Sequence, residues 1–261
     1  MNRNNPKMEK EAYFLLFIIV CFLLAGCAAE RIPVTFKAFE PVDLNGKIVS
    51  GTYTQKIDNF VVIMDTSSTM NGRYLYEVYE SNSIPTLFEV EKEVIFRLNQ
   101  AIPLLDLNAG IRTFGFGACQ SWRFSLERLK LGTYDKKTFD EALNSIDCAG
   151  GGSPMDFAID MTGSDLESAK GNTAIIIISD GDMDDDAATA VVELKKQYGK
   201  RVCVHTISLG KNPANRLGMR RLSALSRCGY TTTAEELANA SGMAEFVEKV
   251  FLKTTRPPLR Y

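Results

Sequence analysis

The chain has 261 residues, of which 45% are hydrophobic, and its formal net charge is −2. This length and composition are typical of a globular protein with one well-filled core. So small a charge, with no Lys/Arg cluster along the sequence, argues against a nucleic-acid partner.

The N-terminal region is predicted to be a secretory signal at residues 1–26. An apolar run at residues 13–24 is too short to span a bilayer comfortably, and three cations precede it: Arg3, Lys7 and Lys10. The tetrad Leu24-Ala25-Gly26-Cys27 follows and resembles the lipobox of bacterial lipoproteins. The resemblance implies a lipid anchor on Cys27. A plain anchor helix and a conventionally cleaved signal are the alternatives.

Ala28, and not Asp, stands next to Cys27. In bacterial lipoproteins of Gram-negative hosts this choice implies the outer membrane. We therefore expect an exported protein, anchored to that membrane by lipid and facing the periplasm or the cell surface.

Residues 27–58 are predicted to hold the lipidated Cys, a tether and a short β-hairpin extension. Asn45-Gly46 lies between two apolar segments, which is a signal for a type I′ hairpin turn. Residues 59–254 are predicted to form the main domain, and residues 255–261 a C-terminal tail.

The main domain alternates predicted strands and helices. We expect strands near residues 60–65, 110–117, 124–130, 173–179, 202–209 and 229–233, and helices near 85–102, 135–146, 154–168, 187–199, 215–227 and 234–252. This alternation predicts an α/β fold with a doubly wound, mostly parallel sheet and helices on both faces. The second and third strands are joined by only a few residues, so they should pair antiparallel at one edge.

Four cysteines remain after Cys21 and Cys27 are set aside: Cys119, Cys148, Cys203 and Cys228. An even number in an oxidising compartment predicts two disulfides. Of the three pairings, proximity in the predicted fold favours Cys119–Cys148 and Cys203–Cys228. Free buried thiols are an alternative, and a metal cluster is another, although the sequence has no short Cys spacing.

Five oxygen-bearing side chains follow predicted buried strands or begin a later loop. Asp65, Ser67 and Thr69 end the first strand of the main domain, Ser153 precedes a helix, and Asp180 follows the strand near 173–179. In a parallel sheet such loops meet at one edge. Two carboxylates and three hydroxyls suit Mg²⁺ or Mn²⁺ and not zinc, with Ca²⁺ as an alternative. An open position on such an ion favours a carboxylate, so we expect a protein ligand that presents Asp or Glu.

In this order, these residues resemble the metal-ion-dependent adhesion site (MIDAS) of the von Willebrand factor A (VWA) domain. The family motif Asp-x-Ser-x-Ser is matched by Asp65, Ser67 and Thr69, and Ser153 and Asp180 stand where the family has its later Thr and Asp. The resemblance covers roughly residues 58–252 and implies a VWA/Rossmann-like fold. Disulfide-paired VWA lipoproteins of bacterial envelopes look most similar, which implies a protein-binding adhesion or scaffold module. Thr69 and Ser153 depart from the commonest pattern but keep the oxygen.

Each of these residues also has a structural interpretation. Asp65 and Ser67 could cap a turn, and Ser153 could cap the helix that follows it. Asp182, Asp184, Asp185 and Asp186 suit the N-terminus of the next helix, and a second cation site is their alternative. A structural envelope protein with a degenerate metal site is therefore the competing hypothesis.

Candidate partner contacts follow from residue type and position. Arg73, Tyr74 and Tyr76 come directly after the first metal loop, and Trp122 lies in a loop after Cys119. Tyr, Trp and Arg are favoured at binding hot spots, although packing explains them equally well.

We do not expect an enzyme. His205 is the sole histidine and lies inside a strand pattern, and no Gly-x-Ser-x-Gly elbow or phosphate-binding loop is present. A metal-dependent hydrolase is the weaker alternative.

Overall fold

The computed structural model describes residues 33–183 and 186–255. The predicted signal peptide and the lipidated Cys27 lie outside the described residues, as do Asp184 and Asp185. Within the described ranges, no helix has both the length and the apolar character needed to cross a membrane.

Six strands form one sheet in the order β4-β3-β2-β5-β6-β7, and all neighbours are parallel except β3 and β4. This confirms the predicted doubly wound α/β fold and its antiparallel edge. The strands are β2 (Asn59–Asp65), β3 (Asn108–Phe114), β4 (Ser125–Thr133), β5 (Thr173–Ser179), β6 (Val202–Ser208) and β7 (Thr231–Thr233), with β1 (Tyr53–Gln55) and β8 (Leu252–Thr254) in a separate antiparallel pair.

Helices cover both faces of the six-stranded sheet. One face carries α2 (Leu87–Ala101), α3 (Lys136–Asn144), α7 (Ala234–Leu237) and α8 (Ala240–Phe251), and the other carries α4 (Met155–Asp165), α5 (Asp186–Tyr198) and α6 (Pro213–Leu225). The short α1 (Asn45–Val49) precedes β1.

The central strands are buried on both sides, so each supplies two cores. In β2, Phe60, Val62 and Met64 pack into the core under α2 and α8, whereas Val61 and Ile63 pack into the core under α4 and α5. Because successive side chains of a strand point to opposite faces, a nearly continuous apolar run fills both layers.

The predicted hairpin at Asn45-Gly46 is wrong. Residues 45–49 form α1, and neither Asn45 nor Gly46 has the positive φ that a type I′ turn requires at both positions. Leu44 is buried in the core at the start of this turn. The strand partner of β1 is β8, from the opposite end of the chain.

Two disulfides tie loops to the sheet, with the pairings that proximity favoured. Cys119–Cys148 joins the loop between β3 and β4 to the loop between α3 and α4. Cys203–Cys228 joins the start of β6 to the segment after α6.

Candidate metal centre

The candidate site lies at the carboxyl ends of β2 and β5, which are neighbours in the sheet. Their register pairs Met64 with Ile178. Asp65 therefore stands beside Ser179, and Asp180 is the next residue along the chain. Open α/β sheets bind ligands at this edge, because the strands end there and the loops that follow them converge.

The first loop holds Asp65 in a fixed orientation. Its side chain is fully buried; one carboxylate oxygen accepts the backbone N–H of Ser67 at 2.8 Å and the other accepts the Ser179 hydroxyl at 2.6 Å. A 3-10 turn at Ser68–Asn71 then brings the Thr69 hydroxyl to 3.0 Å from that of Ser67. Three predicted ligands therefore lie together on one loop.

The second loop is attached to the first through the backbone. The N–H of Gly150 donates to the Thr66 carbonyl at 2.8 Å, and the N–H of Ser68 donates to the Gly151 carbonyl at 2.9 Å. Gly151 has a φ of +87°, and a Cβ there would lie 1.2 Å from the Phe116 carbonyl oxygen. Only glycine permits this approach, which sets the position of the segment that carries Ser153.

Ser153 is unusual in its hydrogen bonding. Its hydroxyl oxygen is buried and makes no hydrogen bond to any residue that the structure describes. It does not cap the helix that follows, since the N-cap of α4 is Pro154 and receives no side-chain bond. Buried hydroxyls are almost always paired, so an unpaired one at this edge fits a ligand that completes it.

Asp180 directly follows β5 and is the last predicted ligand of the site. It is 9% exposed, and one of its oxygens accepts the backbone N–H of Asp182 at 3.0 Å. Asp182 is exposed and Asp186 stands in the first turn of α5, as expected for acidic residues at a helix N-terminus.

Buried acidic side chains come together at this site. Burial raises the pKa of Asp65 to about 7, against hydrogen bonds from Ser179 and Ser67 that lower it, and the Asp180 charge raises it further. Burial, followed by the charge of Asp65, raises the pKa of Glu91 well above its ordinary value. Within the described ranges, no Lys, Arg or His forms an ion pair with Asp65, Glu91 or Asp180.

The donor set fits a hard divalent cation. The described residues contain no group of three or more His, Cys, Asp or Glu side chains that could hold a metal ion. A metal at this edge would therefore depend on the hydroxyls of Ser67, Thr69 and Ser153 together with the two Asp carboxylates. Such an all-oxygen shell suits Mg²⁺ or Mn²⁺.

The predicted partner contacts differ in accessibility. Arg73 is exposed and Trp122 is 70% exposed, whereas Tyr76 is half-buried and its hydroxyl accepts a hydrogen bond from Arg216 at 2.9 Å. Tyr74 is 2% exposed, so its prediction as a surface contact is wrong. Its ring packs against Tyr76 and Tyr79, and its hydroxyl is buried without a hydrogen-bond partner among the described residues.

Two polar residues of this site were not found from the sequence. Glu91 lies on α2, fully buried, and one of its oxygens accepts the backbone N–H of Asp65 at 2.8 Å. Ser179 donates to Asp65 and accepts the backbone N–H of Gly181 at 2.8 Å. Glu91 stands at helical spacing from the buried Val94 and Leu98, and a carboxylate on an apolar stripe is the signal that could have identified it.

An exposed aromatic strip lies beside the second loop. It consists of Trp122, Phe116, Phe124 and Phe157, whose successive ring centroids are 5.9, 4.8 and 4.7 Å apart. Phe116 forms a backbone bridge with Gly151, which places the strip next to the loop of Ser153. Large exposed apolar patches of this kind mark interaction surfaces.

Comparisons with solved structures agree on one fold. The SpRpn10 VWA domain is 15% identical, with a TM-score of 0.50 over 71% of this chain and 98% of that chain. The vWF domain of the pili tip protein Mfa5 from Porphyromonas gingivalis is 10% identical, with a TM-score of 0.52 over 75% of this chain and 95% of that one. Proximal thread matrix protein 1 from the mussel byssus, with a zinc-occupied MIDAS motif, is 13% identical, with a TM-score of 0.50 over 77% of this chain.

The chain has the fold of a VWA domain, in which β4 is the antiparallel edge strand. It spans about half of the mussel protein chain, 49% of its length. No protein-family model and no curated protein matches the sequence. At these identities the likeness to solved structures concerns the fold alone.

Proposed function

We propose that this chain is an envelope-anchored, protein-binding module that captures an acidic residue of a partner through a divalent cation. Asp65, Ser67, Thr69, Ser153 and Asp180 would hold the ion, which supplies an open coordination position for a carboxylate. The lipid anchor at Cys27 and an outer-membrane location belong to the same proposal.

The observation that carries the proposal is the unpaired Ser153 hydroxyl, on a loop that is hydrogen-bonded to the loop after Asp65, a buried carboxylate without an ion-pair partner in the described ranges. A buried hydroxyl without a partner costs free energy, and so does a buried charge. Both costs are offset at once if a cation binds between the two loops. Neither cost has an explanation in a site that only caps turns.

The solved neighbours support a binding role. The mussel protein carries a zinc-occupied MIDAS motif, and other neighbours are a pilus adhesin and a pili tip protein. A module that binds a protein outside the cell is in keeping with the predicted signal and with the two disulfides. Because one such motif holds zinc, the choice of metal must include Zn²⁺, which donor chemistry alone had excluded.

A metal-dependent hydrolase receives no support from the histidine. His205 lies in β6, 1% exposed, and its Nδ1 accepts the backbone N–H of Tyr230 at 3.0 Å. Burial, followed by the charge of Lys56, lowers its pKa to about 3. A histidine that is buried inside the sheet, accepts a backbone N–H and has so low a pKa is not suited to serve the site as a general base.

Calorimetric titration of the full chain with Mg²⁺, Mn²⁺, Ca²⁺ and Zn²⁺ tests the metal site. We expect saturable binding by the wild type, loss of binding in Asp65→Ala and Asp180→Ala, and affinity weakened about tenfold or more in Ser153→Ala. Ser208→Ala is the matched control, because that hydroxyl is also buried and unpaired at the same edge, opposite Ser179 at the end of β6, but is not among the proposed ligands.

Equal effects of Ser153→Ala and Ser208→Ala would contradict the assignment of Ser153. A folded wild type that binds none of the four metals would remove the proposal and leave the structural envelope role. If metal binds, capture of acidic peptides with and without EDTA then separates a protein-binding site from a structural one.

A further inference from the structure

A second surface lies on one face of the sheet, between two of the helices that cover it. A groove with a volume of about 1210 Å³ opens between α5 and the C-terminal half of α6. Helices that follow parallel strands run back toward the start of the next strand, so the groove reaches the end of the sheet where β6 begins. We call it the basic groove, for the residues described below.

The floor of the basic groove is apolar and accessible. Ala188 and Val192 on α5 face Ala224 and Leu225 on α6, and Val192 and Leu225 are 36% and 38% exposed. On α5 the lining positions recur every three or four residues, which is one face of a helix. From Ala188 to Lys196, the last lining position on α5, this face is about 12 Å long, at about 1.5 Å per residue.

The rim of the groove is cationic. Five of its twelve lining residues are basic and none is acidic, although the chain as a whole has 30 Lys and Arg against 32 Asp and Glu. Composition therefore does not account for the excess. The basic residues are Lys195, Lys196, Lys200, Arg221 and Arg227.

Two of these cations have bonding partners among the described residues. Lys196 pairs with Glu193, and the Lys195 ammonium donates to the Val202 carbonyl at 2.6 Å, where it compensates the end of α5. Lys200, Arg221 and Arg227 form no ion pair with any residue that the structure describes. Burial and then the charge of Arg227 lower the pKa of Lys195, so these cations repel one another.

The groove is also held in shape. Arg227 adopts a left-handed conformation with a φ of 62°, directly after α6 ends, and the next residue, Cys228, is joined to Cys203 of β6. The disulfide fixes the end of α6 against the sheet. A groove formed in advance loses little conformational entropy when it is filled.

From these observations we infer that the basic groove docks a short amphipathic helix of a partner protein, whose apolar stripe is flanked by Asp or Glu. The apolar residues of the floor match the buried face of such a helix; they are Ala188, Val192, Ala224 and Leu225. The unpaired cations of the rim match carboxylates along its edges, and like-charge repulsion among those cations is relieved on binding. This site is independent of the candidate metal centre.

Fluorescence anisotropy with a labelled synthetic peptide tests the inference. The probe is a helix of about 14 residues with a Leu stripe flanked by Glu, titrated with the full chain in mild detergent against empty micelles. Two control peptides are needed: the same helix with Lys in place of Glu, and a scrambled sequence of the same composition. Vesicles of anionic phospholipid form a separate arm.

We expect the acidic helix to bind, and the Lys200→Glu/Arg221→Glu double variant to weaken it about tenfold or more. Leu225→Gln should weaken it about fivefold without a change of charge. The matched control is Lys130→Glu/Lys253→Glu, which makes the same charge change on exposed strands and should leave the affinity within about twofold. EDTA should not change the affinity for the acidic helix.

Three results would overturn the inference. One is equal binding of the acidic helix by the groove double variant and by the control double variant. Another is binding of the Lys helix or the scrambled peptide as tightly as the acidic helix. The third is binding to anionic vesicles with no binding of the acidic helix. Thermal melts identify a variant that fails to fold, and Leu225→Gln, at an exposed position, then carries the test.

Discussion

Replacing Asp65 by Asn should stabilise the metal-free protein at alkaline pH. Burial raises the pKa of Asp65 to about 7, so above that pH the folded chain holds a buried carboxylate that the unfolded chain exposes to water. Asn has nearly the same shape. Its amide oxygen can accept the Ser67 N–H, and its amide nitrogen can donate to the Ser179 hydroxyl, in place of the two bonds that Asp65 makes.

The magnitude and sign follow from the pKa in the two states. Because the folded value of about 7 lies above the ordinary value of 3.8, the folded state binds the proton more tightly. The contribution of Asp65 to the free energy of unfolding is therefore complete below pH 3.8 and is lost as pH rises through 7. At about 1.4 kcal/mol per pH unit, this interval corresponds to about 4 kcal/mol. The Asn variant should gain about that much over the wild type at pH 8 and little at pH 4.

Urea denaturation from pH 4 to pH 9 in EDTA measures this difference, with the exposed Asp106→Asn as a control. Addition of a divalent metal should reduce the variant's advantage at pH 8. At a metal concentration a hundred times Kd the wild type gains about 2.7 kcal/mol, whereas the variant gains nothing. A variant that is less stable than the wild type at pH 8 in EDTA, or a difference that does not change with pH, would refute the reasoning.

Three further predictions concern the second loop, the core and the aromatic strip. Gly151→Ala should weaken metal binding and lower Tm, because its Cβ would collide with the Phe116 carbonyl oxygen; Gly152→Ala, whose Cβ has 4.0 Å of clearance, should change neither in calorimetry or thermal melts. His205→Asn should make the free energy of unfolding less sensitive to acid, as measured by urea denaturation. The folded pKa of His205, about 3, lies below its ordinary value of 6.5, so its contribution to stability is present above pH 6.5. That contribution is lost as pH falls toward 3, at about 1.4 kcal/mol per pH unit. Trp122→Ala should weaken partner capture with unchanged metal affinity, and a parallel loss of both would show that the tryptophan only supports the loop.

Most of the fold could be predicted because its determinants are local. The run of isoleucines in β5 and the alternation of apolar residues in α5 specify their elements over a few residues, and the short connection after β3 requires an antiparallel neighbour. The hairpin prediction failed for the opposite reason. β1 pairs with β8 from the far end of the chain, and no local pattern at Asn45 contains that information.

The candidate site also has residues that could be predicted from the sequence and residues that could not. Asp65 and Asp180 could be placed at one edge because each directly follows a buried strand, and strand ends of a parallel sheet converge. Whether Tyr74 faces solvent or core depends on how its loop folds over α2 and α7, which spacing does not reveal. The basic groove was missed because its cations come from two separate segments, residues 195–200 and 221–227, which only the fold brings together. The metal itself stays a prediction.

The burial of charge separates the binding proposal from the structural alternative. A domain that only stiffens an assembly would gain stability from apolar or paired residues where Asp65 and Glu91 stand, since buried ionisable groups without a cation are a net cost. The cost is of the same order as the total stability of a small domain, and the rest of the core must offset it. A metal ion would offset that cost when it binds, because the carboxylates it contacts are already desolvated. The effect of Asp65→Asn in EDTA measures the cost, and its effect with metal measures how much of it the ion recovers.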